Sequence, residues 1–232
     1  MIIKIKYYEP VKMAEKIAQS CLAAGKKFLF ISGNGGSGKT ELSRIIYEEA
    51  AKYGHVNVLD MDDFVVDTKL RNSATAIWND IEKGEQKGRY TTAFAASYFL
   101  QNVKAIICNL ENGNDYYHWP KKAKEPKECR LLYGDAVLTI IEGIGTVFLD
   151  KREGNSVSIF VQCSKETELA RRIKRGRFSN EKNAEEVRKK YAERRSQYKA
   201  NVEPHMKDYK IVLESMEDYS LRVMRDDLKI LL

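Results

Sequence analysis

Gly33-Asn34-Gly35-Gly36-Ser37-Gly38-Lys39-Thr40 is the stretch that decides the fold. A nearly continuous apolar run, Lys27–Ser32, precedes it, as expected of a strand buried in a parallel sheet. Helix-forming residues follow over Thr40–Tyr53 and end at Gly54. The pattern Gly-(four residues)-Gly-Lys-Thr therefore lies between a strand and a helix, which is the structural context of a phosphate-binding loop.

The chemistry of phosphate binding explains each residue type in this loop. Glycines let the backbone turn tightly and direct several N–H groups at anionic oxygens, and the positive end of the following helix faces the same point. Lys39 is expected to reach the outer phosphates of ATP, and the hydroxyl of Thr40 is expected to bind Mg²⁺. The alternative is a glycine-rich turn that fits by chance, but such a turn seldom has both a strand and a helix in register. We therefore predict that all eight residues, from Gly33 to Thr40, bind the nucleotide.

Strands and helices alternate along the rest of the chain. After an N-terminal strand-like stretch, further strands are predicted at His55–Met61, Ala136–Ile141, Val157–Gln162 and Tyr209–Leu213. Helices are predicted at Pro10–Ala24 and Thr167–Arg175. This alternation indicates a parallel sheet that is covered on both faces. The predicted fold class is α/β, a P-loop NTPase with a three-layer sandwich, a mainly parallel sheet and a small helical lid.

Other segments carry weaker patterns. Thr68–Leu100 is predicted to be mostly helical, with breaks at two glycines, and Val103–Asn109 is predicted to be a strand. Asn183–Ala200 is charged and helix-forming, and we expect it to be exposed. Asp218–Leu231 is predicted to be a closing helix.

Carboxylates end two of the predicted strands. Asp60-Met61-Asp62-Asp63-Phe64 closes one strand, and Glu142 closes another after a run of apolar residues. Ligands of open α/β sheets bind beyond the carboxyl ends of the strands, so both groups should meet beside the phosphate loop. Phosphoryl transfer needs a group that accepts the proton of the acceptor hydroxyl and groups that hold the metal. Asp62 suits the first role. Glu142, with Thr40 and Asp62, suits the second, directly or through water.

Each acidic position also has a simpler explanation. Taken alone, Asp60–Asp63 would be a solvated acidic turn with a helix cap at Asp62 or Asp63. The phosphate loop immediately upstream favours the functional explanation. For Glu142 the simpler explanation is weaker, because a carboxylate that follows an apolar strand is costly to bury without a cation or metal nearby.

Arginines are concentrated where the helix predicted at Thr167–Arg175 ends. Arg171 and Arg175 are four residues apart and share a helix face, and Arg172 lies beside them. Arg177 follows in the loop. Arginines here could clamp phosphates and neutralise charge during transfer, whereas the alternative is a basic helix end that complements the helix dipole. We assign Arg171 and Arg175 to catalysis and Arg172 to nucleotide binding.

Composition limits the class of protein. Of the 232 residues, 43% are hydrophobic and 31% are charged, which is typical of a folded soluble protein. No run approaches the ~20 apolar residues of a membrane span, and the N-terminus lacks the apolar core of a signal peptide. A cytoplasmic protein without a membrane partner is therefore expected. The formal charge of +7 favours an anionic partner, either a nucleotide or a nucleic acid.

Several motifs occur in a recognisable order, namely the phosphate loop, Asp62-Asp63-Phe64, Ile141-Glu142-Gly143-Ile144, Arg171-Arg172-Ile173-Lys174-Arg175 and Tyr191–Tyr198. In this order they resemble the uridine kinase and phosphoribulokinase family of P-loop kinases, as separated islands from about Phe28 to Leu213. The resemblance implies a nucleoside-kinase-like fold and ATP-dependent phosphorylation of a small-molecule hydroxyl, usually a sugar hydroxyl of a nucleoside-like substrate. ATP and Mg²⁺ are the expected cofactors.

The resemblance also suggests roles for individual residues. It matches Asp62 to the family's catalytic base and Glu142 to its carboxylate near the metal. The three arginines of the basic segment match its lid-side arginines, Arg171, Arg172 and Arg175.

A substrate segment is implied at Asn114-Asp115-Tyr116-Tyr117-His118, although the family's usual Tyr-Asp order is not kept. The candidate substrate contacts are Asp62, Phe64, Tyr116, Tyr117, His118 and Arg130. The aromatic and basic residues of this region would suit a phosphorylated or acidic acceptor. Alternatively, Tyr116, Tyr117 and Trp119 only pack the loop.

One P-loop kinase domain is expected over residues 1–232, with a lid at about 175–185 and a substrate-side insert at about 65–130. The leading function is an ATP-dependent kinase that acts on a hydroxyl of a nucleoside-like or other small metabolite. The alternative is a P-loop ATPase with a regulatory or nucleic-acid-associated role, which the basic charge favours mildly. No nucleic-acid-binding module is recognisable in the sequence, so a small-molecule acceptor is the expected partner.

Overall fold

A computed structural model describes residues 7–121, 128–151, 153–176 and 184–231. The α-helices are α1 (Pro10–Ala23), α2 (Lys39–Ala50), α3 (Thr68–Ser73), α4 (Leu100–Glu111), α5 (Lys165–Lys174) and α6 (Ala184–Asn201). The strands are β1 (Tyr7–Tyr8), β2 (Phe28–Gly33), β3 (Val56–Asp60), β4 (Thr75–Asp80), β5 (Gly84–Arg89), β6 (Tyr116–His118), β7 (Arg130–Leu132), β8 (Leu138–Glu142), β9 (Ser156–Gln162), β10 (Ile211–Ser215) and β11 (Leu221–Asp226). Short 3-10 helices lie at Met61–Phe64, Ala95–Ser97, Ile144–Phe148 and Glu203–Asp208.

The main sheet has the strand order β1-β11-β10-β9-β2-β8-β3. The neighbours from β10 to β3 in this order all run parallel. β11 and β1 extend the β10 edge in antiparallel pairing. Two separate antiparallel pairs, β4-β5 and β6-β7, lie outside this sheet. The α/β class with a mainly parallel sheet is therefore confirmed.

Helices cover both faces of the sheet, which makes three layers. α1 and α2 contribute to an apolar cluster on one face, and α4 contributes to a cluster on the other. The side chains of β2 divide between them, because Leu29 and Ile31 join the first cluster whereas Phe28 and Phe30 join the second. A strand buried on both faces has no polar side, so the continuous apolar run before the phosphate loop is explained.

The carboxyl ends of β2, β8 and β3 meet at one edge of the sheet. β2 ends at Gly33, β8 ends at Glu142 and β3 ends at Asp60. Asp60 and Glu142 are paired in register, and Ile31 of β2 is paired with Glu142 on its other side. The phosphate loop and the two acidic strand ends therefore lie together, as the sequence predicted.

The segment 68–100 differs from its prediction, because it is not mostly helical. After the short helix α3, the chain forms the hairpin β4-β5. Ala76 and Trp78 are buried whereas Ile77 between them is exposed, which is the two-residue alternation of a strand. Gly84 begins β5 with a φ of 68°, a conformation suited to a hairpin turn. The alternation was missed because polar residues surround only two buried side chains.

The strand predicted at Val103–Asn109 is also wrong, because this segment lies within helix α4. Val103, Ile106, Ile107 and Leu110 are buried, at the i, i+3, i+4 and i+7 spacing of one helix face. Short apolar runs are ambiguous between strand and helix, and here the spacing over a longer window decides for the helix.

The closing helix predicted at Asp218–Leu231 is wrong as well. This segment contains β11, which pairs antiparallel with β10. Leu221 and Val223 pack with the core cluster of the α1 face, whereas Arg222 between them pairs with Glu214 on β10. The apolar and polar residues thus alternate as in a strand that is covered on one face.

Helix α6 confirms the helix predicted at Asn183–Ala200, but it is not wholly exposed. Tyr191 and Tyr198 are buried, and the indole N–H of Trp78 donates to Ser196 Oγ at 2.7 Å. α6 therefore packs against the β4-β5 hairpin.

Two expectations fall on residues outside the described ranges. The N-terminal strand was predicted at residues 1–6, and most of the predicted lid, including Arg177, falls within 177–183. Within the ranges that the structure describes, no helix combines the length and apolar character that would let it span a membrane.

Candidate active site

The phosphate loop joins β2 to α2 through a tightly packed backbone. Gly33 has a φ of 138°, and a Cβ atom there would lie 1.8 Å from the carbonyl oxygen of Val161, so no side chain fits. Gly38, at a φ of 90°, leads directly into Lys39 at the start of α2. The unbonded N–H groups at the start of α2 are therefore available to an anion held by the loop.

Asn34 fastens the loop to the elements beside it. Its side-chain amide donates to the carbonyl oxygen of Cys163 at 3.2 Å and to Glu168 Oε2 at 3.0 Å. Its Oδ1 accepts the backbone N–H of Cys163 at 3.0 Å. Because these bonds occupy the side chain, Asn34 is left to meet a nucleotide through its backbone.

Glu168, on α5, is a buried carboxylate that the sequence prediction missed. Besides Asn34, it accepts hydrogen bonds from Arg172 Nε at 2.8 Å, the Tyr191 hydroxyl at 3.3 Å and Arg195 at 3.2 Å. One carboxylate therefore joins the phosphate loop, α5 and α6. The spacing of four residues between Glu168 and Arg172 is the signal in the sequence that pointed to it.

Lys39 lies among the groups that the sequence predicted around it. Its Nζ donates to the carbonyl oxygen of Asn34 at 2.8 Å, and the residue is buried. Burial lowers the pKa of Lys39, the Glu142 carboxylate opposes this shift most strongly among the nearby charges, and Arg172 adds to the lowering. Asp62 also raises the pKa of Lys39, so both predicted carboxylates act on this ammonium group.

Glu142 is only 5% exposed. Burial raises its pKa to about 7, Lys39 opposes this shift, and the nearby Asp60 and Asp62 carboxylates add to it. Glu142 Oε1 accepts a hydrogen bond from Thr40 Oγ1 at 3.2 Å. A hydroxyl and a carboxylate in contact are hard oxygen ligands, so Thr40 and Glu142 fit Mg²⁺, whose charge would favour the ionised carboxylate.

Asp62 lies in the 3-10 helix that follows β3. Its backbone N–H donates to Asp60 Oδ1 at 2.8 Å, so Asp60 caps this turn. The effects of Asp62 on the pKa values of Lys39 and Glu142 place its carboxylate in their surroundings. Asp60 lines the same cavity as Thr40 and Glu142, which makes it a further metal-side carboxylate that the prediction did not select.

Two features of the loop indicate a ligand. The Ser37 hydroxyl is buried and has no hydrogen-bond partner among the described residues. A Cβ atom at Gly35 would lie 1.9 Å from the guanidinium of Arg172, so this glycine brings the arginine onto the loop backbone. A buried hydroxyl without a partner is costly, and an oxygen-rich ligand in the loop would supply one. The loop therefore fits the phosphates of a nucleotide.

Arg171 differs from the expectation that it acts on the transferred phosphate. It is buried, and it donates to the carbonyl oxygens of Gly36, at 2.8 Å, and of Met216. It also donates to Ser215 Oγ at 3.0 Å and lies over the ring of Tyr219 at 4.2 Å. The guanidinium thus braces the loop against the chain that follows β10.

The structure brings Arg172, rather than Arg175, to the phosphate loop. Arg172 lies beside Gly35 and pairs with Glu168 at 2.8 Å. Arg175 caps the C-terminal end of α5 and is exposed. Although Arg171 and Arg175 share a helix face, only Arg171 contacts the phosphate loop.

Some of the predicted substrate residues lie together. The rings of Phe64 and His118 stack with their centroids 5.0 Å apart, and His118 Nε2 lies 3.4 Å from Asp63 Oδ2. Tyr116 packs against the apolar cluster under α4, whereas Tyr117 is 70% exposed. Phe64 and His118 thus form a buried pair at the 3-10 helix that carries Asp62, whereas Tyr117 faces solvent.

Arg130 lies on β7, where it is paired in register with His118 of β6. It also lines a cavity of ≈ 580 Å³ together with Thr40, Asp60 and Glu142. Arg130 therefore lies between the predicted substrate segment and the acidic ends of the strands.

Comparisons with known proteins agree with this geometry. Residues 28–222 match the Phosphoribulokinase / Uridine kinase family. D-glycerate 3-kinase from Cryptococcus neoformans var. grubii serotype A is similar in structure, with a TM-score of 0.60 at 12% identity over 91% of this chain and 97% of that chain. Phosphoribulokinase from Rhodobacter spheroides has a TM-score of 0.59 at 14% identity over 82% of this chain and 70% of that chain. No curated protein is matched.

The mainly parallel sheet, with the phosphate loop at its carboxyl edge, is the architecture of a P-loop kinase. The family match spans most of the chain, so the protein belongs to the Phosphoribulokinase / Uridine kinase family.

Proposed function

We propose that this protein transfers the γ-phosphate of ATP to a hydroxyl of a nucleoside-like or other small metabolite, with Mg²⁺ as cofactor. One observation carries the proposal: beside the buried Lys39, the Thr40 hydroxyl donates to Glu142 Oε1 at 3.2 Å, and Glu142 is paired in register with Asp60 at the start of the turn that carries Asp62. Membership of a kinase family supports the phosphotransferase class.

The phosphate loop supplies the nucleotide side of the reaction. Its backbone N–H groups and the start of α2 would bind the phosphates of ATP, and Lys39 would hold the outer ones. Arg172 lies against Gly35, where it would neutralise charge on the transferring group. Glu168 keeps this guanidinium in place.

Thr40, Glu142 and Asp60 are the residues that would hold Mg²⁺. The metal ion, when bound, supplies a positive charge that neutralises the phosphate oxygens. Asp62 was also a predicted metal ligand, but we assign it to proton transfer because Asp60 shares the cavity with Thr40 and Glu142.

Asp62 would accept the proton of the acceptor hydroxyl as the new O–P bond forms. The rings of Phe64 and His118 are buried and stacked, so they would support the turn that carries Asp62 from within the protein. The hydrogen bond between His118 and Asp63 joins this pair of rings to the same turn.

The Asp62→Asn variant tests this function. A screen of nucleosides, vitamins and sugar phosphates for acceptor-stimulated ADP release identifies an acceptor for the wild type. With that acceptor, Asp62→Asn should lose roughly 10²–10⁴-fold in turnover, because general-base catalysis is removed. ATP binding, measured by calorimetry with a non-hydrolysable analogue, should persist because the loop is unchanged.

Asp135→Asn is the matched control, since this carboxylate is 77% exposed and lies next to His55 at the opposite end of the strands. It should keep the wild-type rate. Full turnover by Asp62→Asn would show that Asp62 is not the catalytic base. If no acceptor stimulates ADP release by the wild type, the proposed kinase function is wrong.

A further inference from the structure

A narrow cleft of ≈ 20 Å³ lies beside the phosphate loop, between helix α6 and the residues that follow the β4-β5 hairpin. Its lining residues are Thr91, Thr92, Ala93, Ile144, Glu168, Arg172, Arg194 and Tyr198. Arg172 connects the cleft to the loop, because its guanidinium lies against Gly35. The cleft has room for little more than one water molecule, so it would take only the terminal oxygen atoms of a ligand that extends beyond it.

Arg194 is the unusual residue of this cleft. Within the part of the chain that the structure describes, its guanidinium has no hydrogen bond or ion pair. Burial, together with the charges of Arg172, Arg89 and Arg71, lowers the pKa of Arg194 to about 10. It remains a cation at neutral pH, and it lines the cleft together with Arg172.

The hairpin and α6 fix Arg89 at this position. Its backbone N–H and its Nε lie 3.3 and 3.4 Å from the Glu193 carboxylate, and Gln197 Nε2 donates to its carbonyl oxygen at 2.9 Å. Since Glu193 directly precedes Arg194, these bonds bring the end of β5 onto the turn of α6 that carries Arg194.

Arg71 lies on α3 and contacts Tyr90, the residue that directly follows β5. Its guanidinium donates to the carbonyl oxygens of Val66 at 3.0 Å and Tyr90 at 3.3 Å, and to Thr68 Oγ1 at 3.2 Å. These neutral acceptors orient Arg71 without cancelling its charge.

The charges of the four arginines are only partly balanced. Glu168 pairs with Arg172 and Glu193 pairs with Arg89. Arg194 and Arg71 have no carboxylate partner among the described residues. Like charges that gather in a partly buried site destabilise the protein unless an anion joins them. The arrangement is therefore what a bound anion would stabilise.

We propose that this cleft binds an anionic group of the acceptor, a phosphate or a carboxylate. The inference rests on the proposed kinase function and narrows its substrate class. The acceptor is the expected source of the anion because Lys39 and the loop already serve the phosphates of ATP. Arg71 and Arg89, in contrast, belong to the segment 65–130, which the sequence predicts to be the substrate-side insert.

Direct binding of small anions tests the proposal without any need for turnover. The protein is first saturated with Mg²⁺ and a non-hydrolysable ATP analogue, so that the phosphate loop is filled. Inorganic phosphate, and acetate in a separate arm, are then titrated into this complex and followed by calorimetry. We expect saturable binding of at least one of the two anions, and which one binds separates the phosphate from the carboxylate.

Variants locate the bound anion. Arg194→Gln should raise the Kd of that anion by roughly tenfold or more, because a charge-assisted hydrogen bond is lost. Arg194→Lys, which keeps the charge without the planar fork, should raise it less. Lys199→Gln removes one exposed charge from the same helix and should change the Kd by less than about twofold.

Each other result overturns the proposal. If phosphate and acetate bind only the nucleotide-free protein and the ATP analogue displaces them, the arginines serve the γ-phosphate of ATP. Equal binding by wild type and Arg194→Gln, or no saturable binding, would also reject the site. The kinase function is decided separately by the Asp62→Asn assay, so either proposal can fail without the other.

Discussion

Two groups of arginines flank the phosphate loop, and they differ in what neutralises them. Those on α5 are matched to protein acceptors, since Arg172 pairs with Glu168 and Arg171 donates to backbone carbonyl oxygens. On the hairpin and α6 side, Arg71 also donates to backbone carbonyl oxygens, but Arg194 has no hydrogen bond or ion pair among the described residues. The α5 arginines hold the loop in shape. On the other side, the charge of Arg194 is not balanced by a carboxylate of the described residues, and we infer that a bound anion balances it.

The two groups of arginines should also differ in how much they stabilise the folded protein. A matched arginine stabilises the folded protein, and breaking a buried pair leaves a charge without compensation. An unmatched arginine that is partly buried gives little stability, because its desolvation is not offset. Removing an arginine of α5 should therefore lower the free energy of unfolding. Removing Arg194 should leave that free energy nearly unchanged and weaken the binding of an anion.

Glu168→Gln should have the largest effect on stability. It removes the charge that joins Asn34, Arg172 and Arg195, and breaking a buried ion pair costs about 3–5 kcal/mol. Urea denaturation measures the loss. Glu166→Gln, an exposed neighbour on α5, is the control and should change stability by less than about 1 kcal/mol. Similar stability of the two variants would contradict the anchoring role of Glu168.

Arg171→Gln should have the next largest effect. It loses bonds to the carbonyl oxygens of Gly36 and Met216 and to Ser215, so a loss of about 2–3 kcal/mol is expected. The affinity for an ATP analogue should fall with it, because the loop loses a brace. Arg175→Gln, exposed at the end of the same helix, should leave both quantities near the wild-type values. Impaired turnover in Arg175→Gln, with normal turnover in Arg171→Gln, would contradict this expectation and support a catalytic role for Arg175.

Glu142→Gln tests the acids at the end of the sheet through pH. Because the folded protein raises the pKa of Glu142 from 4.5 to about 7, it holds a proton that the unfolded chain releases. The contribution of Glu142 is therefore fully present below pH about 4.5 and is lost as the pH rises to about 7. The stability of Glu142→Gln relative to wild type should increase by about 2 kcal/mol from pH 5 to pH 8. Thermal unfolding with EDTA present measures this difference, and a pH-independent difference would show that the Glu142 pKa is not raised.

Arg194→Gln should have the smallest effect on stability. Removing a charge that lacks a carboxylate partner should leave the free energy of unfolding unchanged or raise it by up to about 1 kcal/mol. Chemical denaturation of the ligand-free protein provides the measurement, with Lys199→Gln as control. A loss of more than about 2 kcal/mol would mean that Arg194 has a stabilising partner, and the comparison between the two sides would no longer hold.

The nucleotide side of the site could be predicted from sequence because its determinants are local. The phosphate loop is one contiguous stretch, and it fixes the strand before it and the helix after it. Asp62 and Glu142 then follow from their positions at strand ends, since parallel strands present their carboxyl ends at one edge.

The acceptor side was harder to predict because its determinants are distant in the chain. The β4-β5 hairpin buries Ala76 and Trp78 against other elements, and its polar remainder hides the strand pattern. Glu168 and Arg194 resemble ordinary charged residues of helices until α5, α6 and the hairpin are brought together. Their roles depend on burial, which one sequence does not encode locally.

A crystal structure with Mg²⁺ and a non-hydrolysable ATP analogue tests the central claim most directly. We expect the γ-phosphate to contact Lys39 Nζ at about 3 Å, with the Asp62 carboxylate facing it across the space for an acceptor hydroxyl. A γ-phosphate bound away from Lys39, or an Asp62 side chain that faces away from it, would contradict the account.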